Sequence, residues 1–330
     1  MDRIIPQESC IHCHVIFLVF ILSVWITIVL FAQGLRPSFI DSINNEMKNY
    51  SEVFAIVISA NHFEESRNVI LSIRNFTKSP VIIWDIELSA AQKTELRAVC
   101  NVYVKKVPFN RYPLHMHAMT GYYFKAIVLT EMEASFDRFW ILDASIRYRN
   151  DTSLQTLTEF YDETGANDFD SFLMGYGVFH SIYAATHPST YKYLPITEAT
   201  VQRTEMRASG VLYFRRTNFS ESVVKESMRC AMIPECYAPS GAVQYCDFKG
   251  EAFNRYAGCH RFDQSVLNVI VARLRERAGE PMLTSNDLTS TGFVRVQRHD
   301  RNEHPLALPC LRHEPGWWLH IMNTIARIVI

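Results

Sequence analysis

The sequence lacks the short glycine-rich and catalytic motifs that mark several large enzyme classes. Its 330 residues contain no G-x-x-x-x-G-K-[S/T] loop, no G-x-G-x-x-G turn, no G-x-S-x-G elbow and no H-E-x-x-H helix. These absences argue against a P-loop nucleotidase, a Rossmann dehydrogenase, an ordinary esterase and a zinc protease. A soluble hydrolase would also need a nucleophile beside a base, and the sequence offers no motif for one.

An excess of charge of one sign is also missing. Lysine and arginine number 33 and aspartate and glutamate 34, which gives a net charge of −1. Because no long basic run is present either, we expect no nucleic-acid partner. With 48% hydrophobic residues, 12 glycines and 13 prolines, the composition is that of a globular protein. The length allows one large domain or two small ones.

One long hydrophobic run lies near the N-terminus. Val15 to Ala32 carries no charged residue and approaches the ~20 residues that cross a bilayer. A cleaved signal peptide is the alternative, but its apolar region is usually ~7–15 residues and ends in a small-residue cleavage site. We therefore predict a single-pass membrane anchor. The predicted segments are a cytoplasmic tail (1–13), a transmembrane signal anchor (14–34), a stem (35–51), a luminal domain (52–316) and a C-terminal apolar segment (317–330).

The placement of sequons and cysteines favours a type II orientation. All four N-x-S/T sequons follow the anchor, at Asn49, Asn75, Asn150 and Asn218. Six of the 8 cysteines also follow it: Cys100, Cys230, Cys236, Cys246, Cys259 and Cys310. An even number suits disulfides in an oxidising compartment, although the pairing cannot be deduced. We expect a glycosylated domain in the Golgi or another secretory-pathway membrane.

Strand-like and helix-like segments alternate along the domain. The predicted strands are 53–58, 81–84, 102–107, 139–142, 172–174 and 211–214. The predicted helices are 63–73, 88–99, 122–132, 154–161, 223–232 and a segment that starts near Asp263 and runs to Leu274. This alternation predicts a three-layer α/β domain with a mostly parallel sheet.

Four motifs follow one another in a recognisable order. They are Tyr123-Phe-Lys125, Phe139-Trp-Ile-Leu-Asp-Ala-Ser-Ile146, Ala208-Ser-Gly-Val-Leu-Tyr-Phe214 and His260-Arg-Phe-Asp-Gln-Ser-Val-Leu-Asn268. In this order they resemble the GT-A type glycosyltransferases of the nucleotide-diphospho-sugar transferase superfamily. The chain is similar, within that superfamily, to a group of animal type II membrane proteins. The resemblance covers roughly residues 53 to 275.

The resemblance implies roles for four side chains. Asp143 would bind a metal ion or a ribose hydroxyl, and Lys125 would contact phosphate or position Asp143. Asp85 would contact the nucleoside, and Asp263 would act as a catalytic base or bind the acceptor. Three of them have a structural alternative. Lys125 would be a solvated helix lysine, Asp85 a turn residue at a strand end, and Asp263 a charge favoured by the helix dipole.

The metal-binding motif of the superfamily is incomplete here. In place of Asp-x-Asp the sequence reads Asp143-Ala-Ser145, so Ser145 is at best a neutral ligand. Mg²⁺ or Mn²⁺ bound with the nucleotide sugar remains the implied cofactor because both prefer oxygen ligands. The missing second carboxylate weakens the expectation of metal dependence. His313 loosely matches a later histidine ligand of some families.

Two functions from different classes are consistent with these residues. The first is sugar transfer from a nucleotide-sugar donor to a glycan or protein acceptor. The second is a catalytically inactive, membrane-tethered binding protein with the same fold. Carboxylates that converge on an open polar cleft would favour the enzyme, and a cleft filled by apolar side chains would favour the binding protein.

Overall fold

The computed structural model describes residues 47, 50, 52–148, 167–280 and 294–296. The chain divides into two compact units, Met1–Tyr50 and Ser51–Ile330, and the account below concerns the second. Several predicted segments lie outside the described residues: the tail, the anchor, the 154–161 helix, the 317–330 segment and nearly all of the stem. Asn49, Asn150 and His313 also lie outside them. Among the helices that are described, none has the length and apolar character needed to span a bilayer.

The strands in chain order are β1 (Phe54–Ile58), β2 (Val81–Asp85), β3 (Val102–Lys106), β4 (Arg138–Leu142), β5 (Ile146–Tyr148), β6 (Phe172–Met174), β7 (Gly177–Ser181), β8 (Glu205–Arg207), β9 (Val211–Arg215) and β10 (Val294–Val296). The central sheet has six strands in the order β3-β2-β1-β4-β9-β6. All neighbours up to β4 pair in parallel, whereas β9 runs antiparallel to both β4 and β6. The prediction of a mostly parallel sheet is therefore confirmed.

The α-helices in chain order are α1 (Phe63–Arg74), α2 (Ala90–Ala98), α3 (Tyr123–Glu133), α4 (Pro188–Tyr193), α5 (Glu198–Arg203), α6 (Asn218–Ala231), α7 (Pro234–Tyr237) and α8 (Asp263–Ala278). On one face of the sheet, α1 packs against a cluster that includes Phe54, Trp140 and Tyr213. On the other side α3 contacts β1 and α6 contacts β6, and the rings of Phe139 and Phe214 stack with centroids 4.6 Å apart. Helices on both faces confirm the three-layer architecture.

Two helices begin elsewhere than the sequence pattern predicts, because polar side chains cap them. Ser89 accepts a hydrogen bond from the backbone N–H of Gln92, so α2 begins at Ala90 rather than at Leu88. Thr217 and Ser220 form a reciprocal capping box, so α6 begins at Asn218 and not at 223. Each cap satisfies backbone N–H groups that have no partner within the helix.

Several short elements were not predicted. β7 and β8 pair antiparallel although α4 and α5 lie between them in the chain, and β5 pairs with β10. The disulfide prediction is confirmed for two pairs, Cys230–Cys236 and Cys246–Cys259. The second disulfide closes a mostly exposed loop, residues 246–259, which contains no helix or strand. We call this segment the disulfide loop.

Candidate functional site

The site lies where the direction of winding of the sheet changes. The chain runs from β1 outward through β2 to β3 and then returns to β4, on the other side of β1. In open α/β sheets this switch point leaves a crevice beyond the carboxyl ends of the strands, where ligands bind. Val57 of β1 and Asp143 and Ala144, which follow β4, line a cavity at this place.

Two adjoining cavities occupy the crevice. The outer cavity has a volume of about 420 Å³ and the inner cavity about 170 Å³. The residues that line both are Tyr122, Lys125, Asp143, Ser145, Gln244 and Arg261. Asp263, Gln264 and Ser209 line the inner cavity only, whereas His62 and Glu65 line the outer one only. Most of these side chains are polar, so the crevice suits a polar ligand.

Lys125 joins the two candidate carboxylates. Its Nζ lies 3.1 Å from Oδ1 of Asp143 and 3.1 Å from Oδ2 of Asp263. The side chains of Lys125 and Asp263 are 11% and 5% exposed, whereas that of Asp143 is 41% exposed. We call these three residues the Lys125 triad. The alternative of a solvated helix lysine is wrong, because the ammonium group is buried between two carboxylates.

The environment shifts the ionisation of the two buried members. Burial raises the pKa of Asp263, and Asp143 raises it further, while Lys125 and the Ser209 hydroxyl oppose the shift. Burial alone would lower the pKa of Lys125, but the two carboxylates outweigh it and raise that pKa. Lys125 therefore stays charged, and Asp263 is a stronger base than an ordinary aspartate.

A histidine and an asparagine fix the start of α8. The buried ring of His260 accepts a hydrogen bond from His187 N at 3.2 Å through Nδ1, and its Nε2 lies 3.0 Å from the Tyr237 carbonyl oxygen. Asn268 bonds both backbone groups of Arg207 at 2.8 Å and so ties α8 to β8. These side chains hold the first turn of α8, and with it the carboxylate that points into the inner cavity.

Two aromatic residues precede the helices that carry the triad, and both have positive φ. Tyr122, before α3, has φ 56°, and Phe262, before α8, has φ 48°. Their ring centroids are 5.7 Å apart, and the Tyr122 ring centroid lies 5.9 Å from Lys125 Nζ. Such backbone conformations cost about 1–3 kcal/mol each and persist where surrounding contacts enforce them, often at functional sites. The pair of rings fixes α3 and α8 relative to each other at the triad.

The absence of a side chain at Gly210 leaves room for the Asp143 carboxylate. The backbone N–H of Asp143 donates to the Gly210 carbonyl oxygen at 2.8 Å. A Cβ at residue 210 would lie 3.1 Å from Asp143 Oδ2, closer than van der Waals contact allows without movement. The glycine in the Ala208-Ser-Gly motif is therefore explained by close approach to a carboxylate.

We expect Gly210→Ala to weaken nucleotide binding roughly tenfold, because the Asp143 carboxylate must move by a few tenths of an ångström. The melting temperature should change little, since the shift occurs at the edge of a cavity. Isothermal titration with nucleoside diphosphates measures the effect. A Gly210→Ala variant that binds nucleoside diphosphates as tightly as the wild type would contradict this role of the close approach.

Sequence reasoning missed the amide of Gln264. The residue is 8% exposed and lines the inner cavity beside Asp263, and its Nε2 has no hydrogen-bond partner. A buried amide without a partner is costly, typically by about 1–3 kcal/mol. The Asp-Gln pair at a helix start was the signal, but only its aspartate was singled out. A polar ligand in the inner cavity would satisfy this donor.

The structure places Asp85 apart from the crevice. Its Oδ1 accepts the Leu88 N–H at 2.6 Å and its Oδ2 pairs with Lys93 Nζ at 2.8 Å. Asp85 does not line either cavity. Both oxygens are occupied by structural contacts, so the geometry favours the turn interpretation over a nucleoside contact. Asp143 and Asp263 converge, and Asp85 does not join them.

A divalent cation has only a minimal donor set here. Within the ranges that the structure describes, no three His, Cys, Asp or Glu side chains form a metal-binding group. Mg²⁺ in nucleotide sites is usually held by one or two carboxylates together with phosphate oxygens and water. The exposed Asp143 carboxylate and the neutral Ser145 hydroxyl both face the two cavities and fit that arrangement.

Part of the chain matches a family model. Residues 21–130 match the family described as "Protein of unknown function (DUF1647)". The match covers one third of the chain. No curated protein matches the sequence.

Solved structures with a similar fold are glycosyltransferases. The galactosyltransferase LgtC, solved with donor and acceptor sugar analogues, is 15% identical, covers 66% of this chain and 70% of its own, and has a TM-score of 0.40. Core-mannan synthase A of Aspergillus fumigatus, in a Mn/GDP form, is 9% identical with coverages of 68% and 70% and a TM-score of 0.41. Mouse xyloside xylosyltransferase 1 is 10% identical with coverages of 71% and 85% and a TM-score of 0.38.

Proposed function

We propose that the chain is a glycosyltransferase that moves a sugar from a nucleotide-sugar donor to a glycan or protein acceptor. The observation that carries the proposal is the Lys125 triad in a polar crevice at the switch point of the sheet. The crevice offers a larger outer cavity and a smaller inner one that share the triad's lysine. A two-part ligand, with a nucleotide in the outer cavity and a sugar in the inner one, fits this division.

The charges suit the chemistry of glycosyl transfer. As the bond to the leaving diphosphate breaks, positive charge develops on the sugar ring and negative charge on the phosphate oxygens. Asp263 in the inner cavity would stabilise the ring or accept the proton of the attacking hydroxyl. Lys125 and Arg261, which reach both cavities, would contact the leaving phosphates. The Gln264 amide would donate to a sugar hydroxyl.

Mg²⁺ or Mn²⁺, when bound with the donor, would supply further positive charge at the diphosphate. Asp143 would be its protein carboxylate and Ser145 a neutral oxygen nearby. We infer that such a cation arrives with the nucleotide, since the diphosphate must provide most of the ligands.

The polar crevice favours an enzyme over an inactive binding protein of the same fold. A degenerate site would be expected to fill with apolar side chains once its carboxylates no longer served a purpose. Here two carboxylates converge on one ammonium group, and an unpartnered amide faces the same cavity. Such buried polar groups are expensive and are retained where a ligand uses them.

We also propose a type II membrane protein with this domain in the secretory pathway, Golgi or related. Its support is the apolar run at 14–34 together with the disulfides Cys230–Cys236 and Cys246–Cys259. Asn75 and Asn218 are both exposed, so either can carry a glycan. Protease protection of microsomes, with and without detergent, tests this topology.

Nucleotide binding should raise the melting temperature of the full-length protein in the presence of Mn²⁺. At a nucleotide concentration about 100 times its dissociation constant, the expected rise is about 5 °C. The measurement is a thermal-shift screen of UDP, GDP, CMP and their common sugars, with and without Mn²⁺. Asp143→Ala should remove the shift, because the cation bound with the donor loses its carboxylate ligand; asparagine is avoided since it would create an N-x-S sequon with Ser145.

Asp168 is an exposed aspartate outside both cavities, so Asp168→Ala is the matched control and should keep the full shift. If no nucleotide or nucleotide sugar stabilises the wild-type protein, with or without Mn²⁺, the proposed function is wrong.

A further inference from the structure

Two aromatic side chains of the described domain project almost completely into solvent. Phe179 is 85% exposed and Tyr245 is 84% exposed. Single exposed hydrophobic residues are common on protein surfaces, so exposure alone assigns no role to either ring. What distinguishes these two is the backbone around them, which holds each ring in place.

The backbone at Phe179 is strained and specifically supported. Its φ is 60°, which is rare for an aromatic residue, and its N–H donates to Glu205 Oε1 at 2.8 Å. A Cβ at Gly177 would lie 2.5 Å from Glu205 Oε2, so a side chain at residue 177 would displace this carboxylate. The register between β7 and β8 shifts at the same place. The β7–β8 pair thus contains backbone strain, which costs conformational energy, at the residue whose ring it turns outward.

Tyr245 is held on both sides by the segment that contains it. The Val243 carbonyl oxygen, two residues earlier, accepts the His260 N–H at 2.8 Å. Cys246, the next residue, forms the disulfide with Cys259. The residues that hold this segment, Cys259 and His260, lie directly before α8, which begins with Asp263. The position of Tyr245 is therefore fixed relative to the triad although its side chain has few contacts.

Both rings lie close along the chain to residues that line the inner cavity. The disulfide loop packs on β7, where the rings of His180 and Phe248 stack with centroids 4.9 Å apart. Tyr176, which directly precedes β7, lines the inner cavity, and so does Gln244, which directly precedes Tyr245. Both exposed rings therefore lie a few residues beyond the cavity wall.

We propose that Phe179 and Tyr245 bind the sugar rings of a glycan acceptor, beyond the sugar that reacts; this rests on the function proposed above. Aromatic rings supply rigid, amphipathic contact area at small entropic cost, and the flat faces of pyranoses carry C–H groups that pack on them. Asp247 and Lys249 stand exposed beside Tyr245 and can bond hydroxyl groups. A protein partner would instead require a continuous apolar area depleted of charge.

The test measures binding of the full-length protein, with Mn²⁺ and nucleoside diphosphate, to an array of defined N-glycan, O-glycan, glycolipid and glycosaminoglycan oligosaccharides. Tyr245→Ala and Phe179→Gly should each weaken binding to the preferred glycan about three- to tenfold. Glycine accepts the positive φ at residue 179, so that variant folds without strain. The nucleotide-induced thermal shift should be unchanged in both variants.

Leu114→Ala is the control, because Leu114 is 82% exposed and lines neither cavity. It should bind glycans as the wild type does. The inference is overturned if the wild type binds no glycan, if both aromatic variants bind normally, or if Leu114→Ala loses as much. A wild-type protein that shows no nucleotide-induced shift contradicts the proposed function instead, so the two failures are distinguishable.

Discussion

Replacing Lys125 by methionine is expected to lower the free energy of unfolding by about 3 kcal/mol at pH 7 and to abolish nucleotide binding. Methionine fills a similar volume but leaves the buried Asp263 carboxylate without the cation 3.1 Å away. An uncompensated buried charge is far more costly than a missing contact. Urea unfolding followed by circular dichroism measures the first effect, and titration calorimetry measures the second.

The penalty for Lys125→Met should shrink as the pH falls. Burial already raises the pKa of Asp263 in the wild-type protein, and Lys125 opposes that rise. Without the ammonium group the pKa rises further. A carboxyl whose folded-state pKa is raised binds its proton preferentially in the folded state, so stability is lost as the pH rises through that pKa. The variant should therefore approach wild-type stability under acidic conditions.

A second substitution separates stability from function. Lys125→Met with Asp263→Leu removes both charges, without the N-x-S sequon that asparagine would create with Ser265. This double variant should recover most of the lost stability but no nucleotide binding. Lys93→Met is the matched control. Lys93 Nζ lies 2.8 Å from the carboxylate of the buried Asp85, and this ion pair is outside both cavities. The Lys93→Met variant should be destabilised yet bind nucleotide. Nucleotide binding that survives in Lys125→Met would contradict the role given to the triad.

Between pH 6.5 and 4, His260 is expected to cost the protein about 3 kcal/mol of stability. Burial lowers the pKa of His260 from 6.5 to about 4, against the opposing hydrogen bond to the Tyr237 carbonyl. Between these two pKa values the imidazole is protonated in the unfolded state but neutral in the folded state. The contribution of the neutral ring is complete above pH 6.5 and is lost progressively as the pH falls toward 4.

Chemical unfolding at several pH values, for the wild type and for His260→Gln, tests this expectation. Glutamine can replace both hydrogen bonds of the ring but does not titrate, so the variant should show a flatter decline in acid. Burial also lowers the pKa of His180, which leaves part of the slope in place. Superimposable pH profiles of the two proteins would refute the assignment to His260.

The sheet was predictable because its strands carry a strong local signal. β-branched and aromatic runs such as Val81–Asp85 are buried on both faces and need no long-range information. The short strands β5, β7 and β8 lack that signal, because three alternating residues are too few to establish a period in β5 and β8 and the burial in β7 does not alternate. The antiparallel direction of β9 was equally hidden, since it depends on the path of the chain between strands.

The site was predictable in part for a similar reason. Asp143 follows an apolar strand and Asp263 begins a helix, and these are features that the sequence displays. That Lys125 lies between the two carboxylates depends on the packing of α3 against α8, which no local pattern contains. In the sequence Asp85 is equivalent to Asp143, because each lies at the end of an apolar strand. In the structure a turn and an ion pair occupy the carboxylate oxygens of Asp85. The unpartnered Gln264 amide becomes visible only when its neighbours are known.

The cross-links beside the crevice have a practical consequence for producing this protein. Cys230–Cys236 and Cys246–Cys259 both lie outside the central sheet, whose apolar core does not depend on them. In a bacterial cytoplasm, where thiols stay reduced, the sheet can form while the loop between 246 and 259 is left untied. Such material would show ordinary helical and strand content and still be inert. Assays that report inactivity are therefore informative only for protein whose thiols have been titrated and found oxidised.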